Sequence, residues 1–249
     1  MAGSSGHPVT CVILQPSYIP WRGYFHQIHD ADVFIFYDDV QYDKHGWRNR
    51  NRIKAPGGTQ WLTVPVLSKG NVTSGLRIDE VRIDPTQHWA AKHWTALRQV
   101  YGKTPHFARY APVLEPFFST PPSMLAELAI SLTETIAREF LGIRNTRFAR
   151  ASQLGIEGTK TGRLVALARA FGASRYLSGP AASDYLDEQE FRDAGIAVEY
   201  MRYDYPEYPQ RFPPFEPSVS VLDLLFMVGP DAPRYIWGVP PTDGDRGAP

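Results

Sequence analysis

The chain is short of cysteine, of net charge and of unbroken apolar sequence, and each shortage removes a class of protein. Cys11 is the only cysteine in 249 residues. No disulfide within the chain and no multi-cysteine zinc site can form, and a lone thiol in an apolar strand reads as a small buried hydrophobe. It fits a reducing compartment. Lys+Arg 26 balance Asp+Glu 26, so no overall field draws nucleic acid or an anionic membrane, and neither is expected as a partner. No apolar run approaches the ~18 residues that cross a bilayer, and no basic segment leading into an apolar one opens the sequence. A cytoplasmic location is the expectation. Repeats and low-complexity blocks are also missing.

What is present is an ordered series of strands whose ends carry polar groups. The apolar strand Val12-Ile13-Leu14 runs into a turn, Gln15 to His26, that is rich in proline and aromatics. A short helix follows through Ile28, and a second apolar strand from Asp32 to Tyr37 ends at Asp38-Asp39. Then come Trp47-Arg48-Asn49-Arg50-Asn51-Arg52-Ile53-Lys54 and a strand from Trp61 to Val66. Residues 76–83 alternate as a half-buried strand does, after a polar turn from Lys69 to Gly75. From Gln87 the spacing becomes helical: Trp89, His93, Trp94, Leu97 and Val100 make one apolar face. Helices are expected at Leu114–Phe118 and Met124–Leu141, the latter closed by Gly142. Strand, helix and strand then return: Thr146 to Ser152, a helix from Arg163 to Phe171, Arg175 to Ser178, a helix from Asp187, Ala197 to Arg202 and a helix from Ser220.

Strand–helix alternation at both ends with helices between predicts an α/β fold with a mostly parallel, Rossmann-like sheet. A single domain over residues 10–238 is expected, with a helical insertion at about 87–142 and with disordered segments at 1–9 and 239–249.

Open α/β sheets bind ligands where strands end, so the polar groups there are the candidates. In the first turn Gln15, Tyr18 and Trp21 would line a pocket, and Pro16 and Pro20 would hold the loop extended so that amides face a ligand. Gly23 would admit a close phosphate or backbone. His26, with a pKa near neutrality, is a candidate general base. Asp38 is the rival, although as a plain turn residue it would look the same. His26 and His29 share the i, i+3 spacing of a metal pair, but no distant cluster completes a ligand set, and no metal is expected. Asn49, Arg50, Asn51 and Arg52 form the sharpest signal. The run contains no acid, guanidinium forks match phosphate or carboxylate, and amides read polar edges. This run and the Gln15–Phe25 loop are expected to follow strands of one sheet and to line one wall. In the second half Lys160, within an incomplete phosphate-loop pattern at residues 158–162, precedes a helix. Ser178, Asp184 and Tyr185 follow another strand end. Tyr208, fixed between prolines, could cover a flat ligand.

Several blocks carry a resemblance. Gln15-Pro16-x-Tyr18-x-Pro20-Trp21-x-Gly23-Tyr24-Phe25, Asn49-Arg50-Asn51-x-Ile53-Lys54, Trp61-Leu62-Thr63-Val64-Pro65, Tyr176-Leu177-Ser178-Gly179, Tyr208-Pro209-Gln210 and Ser220-x-x-Asp223-Leu224-Leu225 resemble the WbqC-like family, in the family's order. A looser likeness, of Pro20-x-x-Gly23-Tyr24 to nucleotidyl-transfer enzymes, has Tyr24 where those carry histidine. WbqC-like members occur among O-antigen and other specialised biosynthetic genes. The resemblance therefore implies an enzyme that decorates an amino sugar or small amine, and it hands over no catalytic residue. The expected reaction is amide formation between an acyl or aminoacyl donor and an amine, the acyl group activated by ATP or arriving as a thioester. The alternatives are a non-catalytic binder of nucleotide-linked intermediates and a hydrolase, the last weakened by the lack of a nucleophile elbow.

Overall fold

The structure, a computed structural model, describes residues 7–44, 46–67 and 75–238. The expected tail, the first residues of the expected leader and nearly all of the expected 69–75 turn lie outside the described residues. The chain divides into two compact units, one of residues 1–14, 27–37 and 145–204, the other of residues 15–26, 38–144 and 205–249.

The first unit holds a five-stranded parallel sheet of β1 (Thr10–Leu14), β2 (Val33–Phe36), β5 (Arg147–Arg150), β6 (Arg175–Ser178) and β7 (Ala197–Tyr200), in the order β5-β2-β1-β6-β7. This is a Rossmann-like arrangement, as the alternation predicts. Strands β1 and β2 read Thr-Cys-Val-Ile-Leu and Val-Phe-Ile-Phe, and both are buried on both faces, the near-continuous apolar run a covered parallel strand requires. Helices α6 (Lys160–Ala170) and α7 (Glu188–Asp193) belong to this unit. Its core collects Cys11, Ile13, Val33, Ile35, Leu167 and Ala168 with Tyr176 and Phe191, whose rings stack with centroids 4.6 Å apart. The Asp32 carboxylate accepts from the Thr10 amide at 2.8 Å and anchors the start of β1 beside β2.

The strands β1 and β6 lie where the order reverses: the chain goes from β1 to β2 and β5 on one side, and through β6 to β7 on the other. Their register pairs only Thr10 with Arg175 and Cys11 with Tyr176, whereas β1–β2 and β6–β7 each keep four pairs. The two central strands therefore part toward their carboxyl ends.

The second unit is built on a hairpin of β3 (Arg50–Ala55) and β4 (Gly58–Thr63), paired antiparallel from Arg50↔Thr63 to Ala55↔Gly58. Pro56 and Gly57, the latter at φ 81, supply the proline and the positive φ that a type II turn takes at its centre. Around it are α2 (Trp89–Tyr101), α3 (Phe107–Leu114), α4 (Pro116–Ser119), α5 (Leu125–Thr135) and α8 (Val221–Val228). The predicted α2 face is buried except for Trp94, which is half-buried. Helix α1 (Arg22–Asp30) contributes its first five residues to this unit and the rest to the other.

Three expectations are corrected. The Arg–Asn run does not follow a strand of the parallel sheet; from Arg50 it is itself a strand, in a separate antiparallel sheet. The partner strand is Gly58–Thr63 rather than Trp61 to Val66, because Pro65 ends the ladder. Residues 76–83 form no strand: Ile78–Glu80 is a 3-10 turn flanked by isolated bridges, Gln41↔Arg77 and Val66↔Ile83. There the alternation reflects Ile78, Val81 and Ile83 turned inward. The helix expected at Leu114–Phe118 is found as Pro116–Ser119, an unexpected helix, Phe107–Leu114, precedes it, and the helix expected from Arg163 begins at Lys160. The helix expected to reach Leu141 passes into a π turn over Ile136–Phe140, and Gly142 follows at φ 68.

Candidate functional site

In the second unit the Gln15–Phe25 loop lies directly against the Arg–Asn run, but the two do not line one wall as expected: Tyr18 meets Asn51 on the inward side of β3, and Arg50 stands on the opposite side. The Tyr18 amide donates to the Arg48 carbonyl at 3.2 Å, and the Asn51 amide nitrogen donates to the carbonyls of Tyr18 and Ile19 at 3.3 and 2.8 Å. Ile19 sits at φ 39, a costly backbone state for a β-branched residue that its surroundings must enforce. The Gln15 carbonyl accepts from the Tyr24 phenol and from Arg48, both at 3.1 Å. Asn49 donates to the Val64 carbonyl at 2.8 Å. Tyr18, Asn49 and Asn51 are buried, and each of these hydrogen bonds holds the backbone of the loop or of the strands beneath it. The space above Gly23 is filled: a Cβ there would meet the Trp21 indole at 2.3 Å. This glycine admits an indole, not the phosphate expected of it.

A buried carboxylate that the sequence reading passed over anchors the same unit. Asp223, on α8, is fully buried and accepts from the Tyr101 and Tyr208 phenols, each at 2.7 Å, and from Gln210 at 2.9 Å. Three donors and no acceptor around it suit the ionised form. Burial raises its pKa, and the hydrogen bonds from Tyr101, Tyr208 and Gln210 pull the other way. Tyr101 also accepts from the Lys54 amide at 3.1 Å, and the Lys54 ammonium donates to the Pro214 carbonyl at 2.6 Å. Tyr208 thus spends its phenol on a structural carboxylate.

The half-exposed groups are fewer. His26 meets the Tyr205 phenol through Nδ1 at 2.9 Å. The Tyr205 ring also takes the Arg22 guanidinium at 4.7 Å and the Trp21 indole edge-on at 6.0 Å. Arg22 is fixed by the carbonyls of Pro206 and Tyr235 at 2.9 and 3.1 Å. His26 is therefore held in one orientation among aromatic faces. Asp38 is buried, and its carbonyl accepts from the Asp79 amide at 2.8 Å. Arg50 and Arg52 project from the side of β3 opposite to Asn51 and lie against Trp61, with guanidinium-to-ring distances of 4.9 and 5.5 Å.

In the first unit the carboxyl edge of the sheet carries Ser178, which is buried, and Asp184 and Tyr185, which are exposed after a 3-10 turn over Pro180–Asp184. Gly179 lies close to the Tyr203 phenol, 3.3 Å from where a Cβ would stand. Tyr203 accepts from Gln27 at 2.8 Å, while the buried Gln27 Oε1 has no hydrogen-bond partner among the described residues. The Arg163 guanidinium covers the Tyr37 ring at 5.1 Å. Lys160 is exposed at the first position of α6. Among the described residues no group of three His, Cys, Asp or Glu side chains is arranged to hold a metal ion, and no helix is long and apolar enough to cross a membrane.

Two features yield predictions. Replacing Asp223 by alanine strands two phenols and an amide in the interior and should cost about 3–5 kcal/mol of stability. Denaturant unfolding reads it; a loss below about 1 kcal/mol would show that the network relaxes around the gap. His93 accepts or donates to the Tyr18 phenol at 2.9 Å, and burial holds its pKa down to about 4. Below the ordinary value of 6.5 the unfolded chain takes a proton that the folded one refuses, so stability falls as pH falls from about 6.5 toward 4. The loss should reach about 2 kcal/mol at pH 5. His93→Asn keeps an acceptor for Tyr18 and removes this step; equal pH slopes for the two proteins would refute the assignment.

The chain matches the WbqC-like protein family over residues 15–235. It is 45% identical over 226 residues to a protein of Mycobacterium tuberculosis described as uncharacterized, an alignment spanning 90% of this chain and 96% of that one. No solved structure matches it significantly.

Proposed function

The chain belongs to the WbqC-like protein family, and from that premise we propose that it is a biosynthetic enzyme forming an amide between an acyl or aminoacyl donor and the amine of a small molecule such as an amino sugar. The observation that carries the reading is the parting of β1 and β6 after Cys11 and Tyr176, at the point where the strand order reverses. Crevices of this kind receive nucleotides and comparable small anions in open α/β sheets. A nucleotide-linked amine at this edge would meet Ser178, Gly179 and the Gln27 oxygen, which has no partner among the described residues. The family's place among O-antigen-type genes supports the amine as acceptor.

Amide formation requires an amine free of its proton, an activated acyl carbon, and a donor group for the oxyanion that forms. His26, held by Tyr205 within the second unit, is the base this reading puts to the test, on its imidazole chemistry alone. The acyl group comes either as an acyl phosphate or adenylate made with ATP, releasing phosphate or AMP, or as a thioester, releasing the thiol. Asp38 stays second, because its side chain is buried at 1% exposure.

Incubation with ATP or acyl thioesters, amino acids and amino-sugar nucleotides should give an acylated amine together with AMP, ADP or free thiol. His26→Gln should keep the fold and slow turnover by roughly 10²–10⁴-fold. Gly179→Val, which pushes a side chain toward Tyr203, should raise KM for the amine at least about tenfold. Ligands that raise Tm by mass action with no product under any pairing would instead make the protein a binder.

A further inference from the structure

Arg22 is a buried cation that the described residues do not neutralise. It opens α1 and is 4% exposed, and it belongs to the second unit together with the rings around it. Tyr205 lies 4.7 Å from its guanidinium, Tyr208 5.4 Å and Phe215 5.9 Å, each within reach of a cation–π contact. A guanidinium carries five N–H groups. Nη1 donates to the carbonyls of Pro206 and Tyr235. Among the described residues Nη2 and Nε have no hydrogen-bond partner, and Nε is also shielded from water.

Among the described residues no carboxylate pairs with this charge. Burial lowers the Arg22 pKa, and the groups that act against it are the phenols of Tyr208 and Tyr205, which are ordinarily neutral at pH 7. Asp223 lies beyond the Tyr208 hydroxyl, and its oxygens are taken by Tyr101, Tyr208 and Gln210. A buried charge without an opposite charge is costly, and an N–H turned from water without an acceptor adds to that cost. Two carbonyls and three rings offset part of it, but they supply dipoles and quadrupoles rather than a counter-charge. They also hold the guanidinium in place, so little freedom remains to be lost when an anion arrives. Trp21, His26, Tyr205 and Phe215 are half-buried, so the surround of this cation extends to the surface.

We propose that Arg22 binds the carboxylate of a small organic acid along its Nε–Nη2 edge. A planar carboxylate matches that fork in the plane of the guanidinium and leaves the ring contacts to its faces. Charge selects it over a phosphate. A phosphate monoester carries about −1.5 to −2 at pH 7, which one guanidinium cannot balance among aromatic rings, whereas a carboxylate is matched one to one. Tyr205, which lies against Arg22, also holds His26 Nδ1 at 2.9 Å, so the acid stands one ring away from that imidazole. That the acid is the acyl donor of amide formation rests on the function proposed above; that a carboxylate binds here does not.

The test is calorimetric and thermal-shift titration of the full-length protein with acetate, benzoate, glycine and phenylalanine, each beside its primary amide, and with inorganic phosphate. At least one acid should bind saturably, about tenfold or more tighter than its amide and than phosphate, and should raise Tm with concentration. Arg22→Lys keeps the charge without the fork and should weaken that acid about 10–100-fold while leaving the amide unchanged. Arg22→Met removes the charge and should abolish the preference for acid over amide; should it fail to fold, the lysine variant and the native acid-to-amide ratio decide. No saturable acid, equal affinity for acid and amide, tighter binding of phosphate, or native affinity in Arg22→Lys would each overturn the proposal. Turnover separates this site from the reaction proposed above. An acid bound through Arg22 with no amide formed under any pairing sinks the reaction and keeps the site. Native turnover with an unchanged KM for the acid in Arg22→Lys sinks the site and keeps the reaction.

Discussion

The second unit depends on one buried carboxylate. Asp223 gathers phenols from α2 and from the segment after Tyr205, together with the Gln210 amide. Through Tyr101 it reaches the backbone of β3. The adjoining residue pairs extend the same junction, since the Ser220 amide donates to the Arg52 carbonyl and the Val221 amide to the Pro20 carbonyl, at 2.8 and 2.9 Å. A charge taken out of water is tolerated only when its lone pairs are filled, and these are. Removing the carboxylate would leave several elements holding donors that face nothing, so the packing of α2, α8 and the hairpin is jointly committed to it.

The Gln15–Phe25 loop is held in the same manner. Its carbonyls are taken by Asn51, Arg48, Tyr24 and the Val221 amide, and its strained residue, Ile19, is locked by Asn51. The family-like blocks that surround it consequently have a structural reading: Tyr18, Asn51, Tyr208, Gln210 and Asp223 make one connected scaffold. A motif can recur because it builds a loop, and the chemistry then falls to neighbours that the scaffold positions. His26, Trp21 and Tyr205 are such neighbours, half-buried around one another.

The parallel sheet was legible in the sequence because β1 and β2 are apolar on both faces and strand-like segments alternate with helical spacing. Val33 to Phe36 admits no other assignment once Asp32 and Asp38 bracket it. The hairpin was not, since Arg50, Asn51 and Arg52 have little β propensity and a run of charges reads as a loop. Its strand character comes from Ile53, Ala55 and Leu62 packing on one side, a tertiary effect. Asp223 was hidden for a related reason. An acid in the apolar stretch Val-Leu-Asp-Leu-Leu-Phe announces a buried charge, but its partners Tyr101 and Tyr208 are remote in sequence, and no local spacing names them. Pairing that acid with the excess of tyrosines was the signal available.

The strand assignment changes what the Arg–Asn run can do. In a loop, five polar residues could all turn to one ligand; in a strand, the period of two divides them. Asn49 and Asn51 face inward and bond the loop, while Arg50 and Arg52 face outward onto the indoles. A slip of one residue in the hairpin would bury both guanidiniums and expose Asn51 and Ile53, so the tight turn at Pro56-Gly57 and the inward aliphatic residues fix the chemistry as well as the fold. Each half of the run then has a single task. The amides hold the backbone of the loop and are costly to remove, and the guanidiniums lie against the indoles of the outward face. Sequence alone mixes these two roles in five consecutive positions, and the pleat of the strand separates them.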